Sequence, residues 1–107
     1  MYTHLHEEIE ALKLKVLKMA ALTEEAVGKA VRSYVKKDLY LAEEVQDGDV
    51  QVNRLDVEID ELALRLLALE QPVAGDLRFI LGCMRISVDL ERVADEAVNI
   101  AERSIML

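Results

Sequence analysis

Two rows of oxygen-bearing side chains are the part of this chain that could do chemistry. They are Asp49, Asn53, Asp56 and Asp60 in one row, and Glu91, Asp95, Asn99 and Glu102 in the other. Residues three and four apart lie on one face of an α-helix, so each row would present its oxygens along one edge of a helix. Magnesium, calcium, manganese and iron bind such oxygen ligands, and the rows therefore predict a site for a hard cation.

The same rows also fit a plainer interpretation. Like charges four residues apart, as in Asp56/Asp60 and Glu91/Asp95, repel by about 0.2–0.5 kcal/mol per pair in an isolated helix, and a bound cation would offset that cost. However, the exposed edges of any soluble helical bundle are rich in acids, and this chain has 21 Asp and Glu residues. The pattern alone leaves both a cation site and a solvated acidic edge open.

Apolar residues recur at alternating steps of four and three in three segments, which is typical of helices packed side by side. The columns run from Leu5 to Ala30, from Leu41 to Leu69 and from Phe79 to Ser104. The third column consists of Phe79, Cys83, Ile86, Leu90, Val93, Ala97, Ile100 and Ser104. The spacing predicts an all-α fold, an antiparallel three-helix bundle with spectrin-like up-down-up connectivity.

Residues that start and stop helices divide the chain at two places. Thr3 and Asp38 are expected to cap the first two helices, and Gln71-Pro72 should end the second. Gly75-Asp76 then supplies the next start. These signals predict a single domain over residues 1–107, with helices at about 4–36, 39–70 and 75–106.

Composition excludes several classes of function. A formal net charge of -8 repels phosphate backbones, and one Phe, three Tyr and no Trp offer few stacking platforms, so nucleic acid is not expected as a partner. The chain has no uncharged apolar run of membrane-spanning length and no signal-peptide pattern at its N-terminus. We therefore expect a cytoplasmic location.

No catalytic motif is present. The sequence contains no Glu-x-x-His pair of the di-iron bundles, no nucleophile elbow and no phosphate-binding glycine loop. Cys83 is the single cysteine and is expected to be a small buried hydrophobe, since it falls in an apolar column. The chain is predicted not to be an enzyme.

Three apolar residues of the first helix do not belong to its column. Leu14, Leu17 and Val35 lie on one flank of the predicted helix. They could cover a neighbouring part of the core or form part of a docking surface.

The segment from Asp89 to Glu102 resembles the repeat signature of the PhoU family, bacterial regulators of phosphate uptake. The turn Gln71–Arg78 and the middle-helix segment Asn53–Asp60 are similar to that family as well. The resemblance extends over essentially the whole chain. It implies a three-helix bundle, usually present twice in tandem, and a non-enzymatic regulator of the phosphate-starvation response.

The resemblance also implies partners. Family members restrain the response by contacting a sensor histidine kinase and the ATPase of the phosphate ABC transporter at the inner membrane. This chain would then lie at the membrane only through its partners. Because it has one bundle where the family usually has two, a two-fold homodimer is expected to restore the missing surface.

In some family members, Glu/Asp-x-x-x-Asp motifs hold iron, zinc or other metals, with manganese and magnesium as further candidates here. Carried to this sequence, the motif and its supporting positions are Glu91, Asp95, Asp56, Asp60, Asp49, Asn53 and Asn99. Ala94 replaces the usual glycine of the third-helix motif. The alternatives are a plain helical oligomerisation module without metal and a metalloenzyme bundle that uses the same acids.

Overall fold

The computed structural model describes residues 3–106 and consists of three long α-helices joined by short connections. The helices are α1 (His4–Lys36), α2 (Leu39–Leu69) and α3 (Ala74–Met106). They pack pairwise into a rod of 55 × 19 × 18 Å, and residues 3–106 contain no β-strand. The predicted all-α three-helix bundle is confirmed, and the helix ends lie within one residue of the expected positions. None of the helices has a stretch long and apolar enough to cross a bilayer over these residues.

Capping side chains begin the first two helices where the sequence places them. The Thr3 hydroxyl accepts a hydrogen bond from the backbone N–H of His6 at 3.2 Å. One carboxylate oxygen of Asp38 accepts from the N–H groups of Tyr40 and Leu41 at 3.0 and 3.2 Å. Each cap satisfies N–H groups that have no partner within the helix, so the start of each helix is encoded locally.

The core consists of two apolar clusters of different character. The larger cluster contains Leu12, Val16, Met19, Val52, Leu55, Ile59, Leu62, Ala63, Leu66, Ile80, Cys83 and Ala94. The smaller one, near the end where α1 meets α2, contains Ala30, Ala42, Val45, Ala97 and Ala101. Alanine side chains let helix backbones approach closely, so the bundle is held by bulky side chains at one end and by close contact at the other.

The predicted apolar column of α3 is wrong at three positions. Phe79, Ile86 and Val93 are 40%, 48% and 46% exposed. The core instead contains smaller residues of α3, among them Ser87 and Ala94, each one position after an exposed member of the column. Small side chains permit close helix packing, so the inward face of α3 is rotated away from its bulkiest residues.

The remaining members of that column fit the prediction better. Cys83, Ala97 and Ser104 are buried, and Ser104 exchanges a 3.2 Å hydrogen bond with Ser33 of α1. Burial raises the pKa of the Cys83 thiol, which keeps it protonated and poorly nucleophilic. The expectation of a buried, structural cysteine is therefore supported.

Candidate functional site

The groove between α1 and α2 is closed by ion pairs. Three of them cross it: Lys15–Glu58 at 3.0 Å, Lys29–Glu44 at 3.1 Å and Arg65–Glu8 at 3.1 Å. All three keep one antiparallel register along the two helices. The Lys15 ammonium, hydrogen-bonded to Glu58, lowers the pKa of that carboxyl group. Along this groove, acids of α1 and α2 are therefore neutralised by bases of the facing helix.

The groove between α2 and α3 has the opposite chemistry. Ser87 is buried on α3, and its hydroxyl donates a 2.7 Å hydrogen bond to a carboxylate oxygen of Asp56 on α2. Glu91 lies one turn after Ser87 on the same side of α3. A hydrogen bond to Asp56 raises the pKa of Glu91 to about 7, assisted by desolvation and by the negative charges of Asp56, Asp95 and Asp49. The surroundings of Glu91 in this groove thus disfavour a second negative charge beside Asp56.

Two turns before Asp56 on α2, Asp49 adds an incompletely satisfied carboxylate. Asn53 donates from its side-chain amide to one oxygen of Asp49 at 3.3 Å. The other oxygen, Oδ1, is buried and has no hydrogen-bond partner. Buried acceptors without a donor are rare in folded proteins because they lose hydration without compensation. A cation or a water molecule at this oxygen would remove that cost.

The acids of this groove form no ion pair with a basic side chain in the described part of the chain. Within residues 3–106, none of the ion pairs involves Asp49, Asp56, Asp60, Glu91 or Asp95. Over residues 3–106, the acids between α2 and α3 are therefore not ion-paired, unlike those between α1 and α2.

The predicted site residues divide into two groups. Asp49, Asp56 and Asp95 each act electrostatically on Glu91. Asn53 joins this group through its hydrogen bond to Asp49. Asp60 and Asn99 are exposed, and no hydrogen bond or ion pair of the described chain connects either of them to the cluster. In this arrangement, no three His, Cys, Asp or Glu side chains among residues 3–106 converge into a ligand set for one metal ion.

Ser87 is the site residue that sequence reasoning missed. It lies four residues before Glu91, so a helix places both on one edge. The predicted column included Ile86 instead, because counting apolar residues favours a bulky side chain over a serine. A serine one turn before an acidic motif can be predicted to hydrogen-bond a carboxylate of the site only when the inward face of the helix is known.

The residues present fit a hard cation in their chemistry. Asp56 and Glu91 supply carboxylate oxygens from two helices, and Asp49 offers a buried oxygen without a partner. Oxygen donors of this kind suit magnesium, manganese or iron, whereas structural zinc sites use Cys and His. Bound metal would require Glu91 to be ionised, because a carboxylate binds metal in that form.

Comparison with known proteins places this geometry in a family. The family model described as the PhoU domain matches residues 16–104. The "Phosphate-specific transport system accessory protein PhoU homolog" of Aquifex aeolicus is 50% identical over 103 residues, which cover 96% of this chain and 47% of that protein. The protein of the same name from Pseudomonas putida is 41% identical over 100 residues, covering 94% and 39%.

A solved structure of a PhoU protein has the same fold as this chain. The crystal structure of PhoU from Pseudomonas aeruginosa matches with a TM-score of 0.95 and 38% identity, over 97% of this chain and 50% of that one. The chain thus spans about half the length of the relatives it matches, or less. With a matching domain model over most of its residues and the same fold at this identity, the chain belongs to the PhoU domain family.

Proposed function

We propose that this chain is a non-enzymatic accessory regulator of phosphate transport that acts by docking onto other proteins. Its relatives are named as accessory proteins of phosphate-specific transport systems. The chain covers only 47% of the Aquifex relative, so the proposed role is that of one PhoU bundle. Three rigid helices with chemically distinct grooves suit docking better than turnover of a substrate.

Two docking partners follow from the family resemblance: a sensor histidine kinase and the ATPase subunit of the phosphate ABC transporter. Both would be met on the cytoplasmic side of the membrane, and the protein would reach the membrane only through them. An acidic rod is attracted to basic surfaces on such partners, since complementary charge accelerates association.

A metal ion in the groove between α2 and α3 would shape the docking face. The observation that carries this proposal is the pairing of Asp56 with Glu91 across the groove, where Ser87 holds Asp56 and no ion pair of residues 3–106 involves either acid. A cation between these two acids would tie α2 to α3, and Asp49 and Asp95, whose charges act on Glu91, could supply further oxygens. Magnesium, manganese and iron fit these donors better than zinc does.

Docking is tested by measuring association of the purified chain with the transporter ATPase and with the histidine kinase of the same organism. Biolayer interferometry should detect binding to at least one of them, and loss of the gene should raise expression of phosphate-starvation genes. Absence of binding to both partners, with and without added manganese, together with unchanged expression, would exclude the docking role.

Metal binding has its own test. The chain is purified without chelator, its metal content is measured by mass spectrometry, and manganese is titrated calorimetrically. The double variant Glu91→Gln/Asp95→Asn should lose the metal while keeping its helical circular dichroism. The matched control Glu58→Gln/Glu61→Gln removes two acids from α2 outside this groove and should bind as the wild type does. Equal metal content in both variants would exclude the groove as the site.

The alternative function, a helical oligomerisation module without metal, is favoured by one observation. The described side chains do not form a set of three converging metal ligands. Formation of a cation site would therefore require the acids of the groove to change rotamer. A chain that self-associates but takes up no magnesium, manganese or iron at millimolar concentration would support this alternative.

A further inference from the structure

The edge of α3 that faces α2 changes character halfway along its length. Four residues recur there every seven positions, two apolar and then two acidic: Leu81, Val88, Asp95 and Glu102. Val88 and Asp95 lie three residues before and four residues after Glu91, so the helix places them on the side of the acid that faces Asp56. Leu81 and Val88 are 47% and 54% exposed. One edge of α3 therefore offers an apolar half and an acidic half.

α2 borders the same groove with an apolar row. Val50, Val57 and Leu64 recur every seven residues and are 59%, 54% and 51% exposed. Val57 directly follows Asp56, and Asp60 lies three residues after Val57 on the same side of the helix. The apolar row of α2 therefore runs beside acids of the groove.

Hydrogen bonds to Asp56 set the levels at which the two edges meet. Ser87 and Glu91, one turn apart on α3, both bond to this carboxyl group, so Asp56 lies level with the turn between them. Because α2 and α3 are antiparallel, two apolar pairs lie side by side: Val57 with Val88, and Leu64 with Leu81. Met84, which packs half-buried against the core, lies between the levels of these pairs. Its flexible side chain can adapt to an apolar group above it.

The two helices of this groove carry the negative charge of the chain. α2 has eight acids and two bases, and α3 has six acids and four bases, which gives net charges of -6 and -2. α1, in contrast, has a net charge of +1. Over residues 3–106, none of the ion pairs involves Asp60, Asp95 or Glu102. Exposed apolar side chains therefore lie beside acids that the described bundle does not ion-pair.

The spacing of these groups fits a helix as the occupant. Seven residues correspond to ~10.5 Å along a helix axis. A helix lying along the groove can therefore bring apolar residues seven positions apart to the levels of Val88 and Leu81. Its next two heptad positions then lie level with Asp95 and Glu102, where basic side chains complement the charge.

Two other occupants fit the groove poorly. In a two-fold pair of identical faces with antiparallel helices, the acidic half of one copy meets the apolar half of the other. The face is therefore not self-complementary, as a two-fold interface must be. An anionic membrane surface is repelled by the net charge of the two helices.

We propose that the groove between α2 and α3 is the docking site for a basic amphipathic helix of a partner protein. The apolar residues of that helix pack on Val57, Leu64, Leu81 and Val88, and its lysine or arginine residues pair with the acidic half of the α3 edge. The proposal rests on the docking function proposed above and names the surface and the kind of segment that it recognises.

Fluorescence anisotropy tests this recognition with a synthetic helix as the probe. The labelled peptide has about 22 residues, which matches α3 from Leu81 to Glu102. It carries two leucines seven positions apart, lysines at the next two heptad positions, and alanine or glutamine elsewhere. Chelator is present so that metal does not compete for the acids. The wild-type chain should bind this peptide, and a peptide with glutamate in place of lysine should not bind.

The apolar half is tested by Leu81→Ser/Val88→Ser. This variant should weaken peptide binding by about 10-fold or more, equivalent to ~1.4 kcal/mol, because two apolar contacts are lost. The matched control is Ile86→Ser/Val93→Ser on the other edge of α3, where the residues are also seven apart and about half exposed. The control should bind as the wild type does. Circular dichroism verifies that both variants stay helical.

The acidic half is tested without altering any apolar residue. Asp95→Asn/Glu102→Gln should weaken peptide binding by about 10-fold at low salt and by less at high salt, because salt screens the attraction. Asp89→Asn/Glu96→Gln is the matched control, since it removes two exposed acids, also seven apart, from the outer side of α3. This control should bind as the wild type does.

Three results would overturn the proposal: no binding of the lysine peptide to the wild type at about 100 µM, equal binding of the glutamate peptide, or a test variant that binds as its control does. Association with the transporter ATPase and the histidine kinase separates this proposal from the docking function. If Leu81→Ser/Val88→Ser binds a partner protein as tightly as the wild type does, the docking function stands and this surface is wrong. If the wild type binds the lysine peptide as expected but neither partner protein, recognition of a basic helix stands and the assigned partners are wrong.

Discussion

The two grooves that flank α2 present the same kind of residue and treat it in opposite ways. Toward α1, Glu58 faces Lys15 at 3.0 Å, and its carboxyl pKa is lowered. Toward α3, Asp56 faces Glu91, whose pKa is raised to about 7. One groove is thus neutralised within the chain, whereas the other keeps a like-charged pair. The difference teaches that the second groove holds carboxyl groups that the described part of the bundle hydrogen-bonds but does not ion-pair.

Stability alone does not explain that difference. Ser87 orients Asp56 from the core, so the carboxylate is held toward Glu91 by a buried donor instead of turning into solvent. A repulsive pair that is held in place lowers the stability of the ligand-free protein. A cation that binds between the two acids would remove their repulsion, and this relief would strengthen the binding of the cation.

The largest expected effect comes from exchanging the chemistry of the two grooves. Glu91→Lys would give the α2/α3 groove the lysine–carboxylate pairing of the α1/α2 groove. In the wild type, metal at about 100-fold above its Kd should add ~2.7 kcal/mol to the free energy of unfolding, and the variant should gain nothing. Thermal unfolding with and without manganese measures this. Glu96→Lys, with the same charge change on an exposed position of α3, should keep the response.

A smaller effect is expected at the residue that orients the pair. Ser87→Ala removes the 2.7 Å hydrogen bond to Asp56, and the free energy of unfolding should fall by about 1 kcal/mol, the net contribution of a typical hydrogen bond. Metal affinity should fall by about 10–100-fold, as for other residues that orient a ligand. Urea denaturation and calorimetric titration check both numbers. An unchanged affinity for the metal would show that Ser87 contributes to core packing and does not orient a metal ligand.

The pH dependence should have opposite signs in the two grooves. Glu91 has a pKa of about 7 in the folded chain, against 4.5 for an unperturbed glutamate. Between these values the folded chain holds a proton that the unfolded chain has released, so raising the pH lowers the free energy of unfolding. Solvent screening limits the effect to on the order of 1 kcal/mol. For Glu58, with its lowered pKa, stabilisation is present above pH 4.5 and is lost as the pH falls.

Denaturation in chelator at pH 5 and at pH 8 isolates the Glu91 contribution. The free energy of unfolding of the wild type, relative to that of Glu91→Gln, should be lower at pH 8 than at pH 5. A difference that is constant between these pH values would mean that the pKa of Glu91 is not raised in the folded chain.

The smallest effect belongs to the neutralised groove. Lys15→Ala removes one partly exposed ion pair, which should cost about 0.2–1 kcal/mol and less at high salt. The stabilisation by added metal should be unchanged, because Lys15 is on α1 and contacts the side of α2 that faces away from the α2/α3 groove. Urea denaturation at low and high ionic strength measures the cost. Loss of the metal response in this variant would contradict the separation of the two grooves.

Much of the fold could be predicted because its signals are local. The caps at Thr3 and Asp38 and the break at Pro72 act on neighbouring residues only, and the helices end as these residues imply. The rows that contain Asp56 and Glu91 follow equally from the helical repeat. Metal binding stays a prediction, because converging oxygens depend on how two helices face each other.

The sequence by itself determined three helices, their ends and which acids share an edge, since each depends on contacts within one or two turns. Only the tertiary structure decided the rotation of α3 about its axis. Packing buried Ser87 and Ala94 instead of Ile86 and Val93, because close helix contact favours small side chains over bulky ones. That rotation brought Glu91 to Asp56 and left an apolar edge beside α1, and neither result can be read from one helix alone.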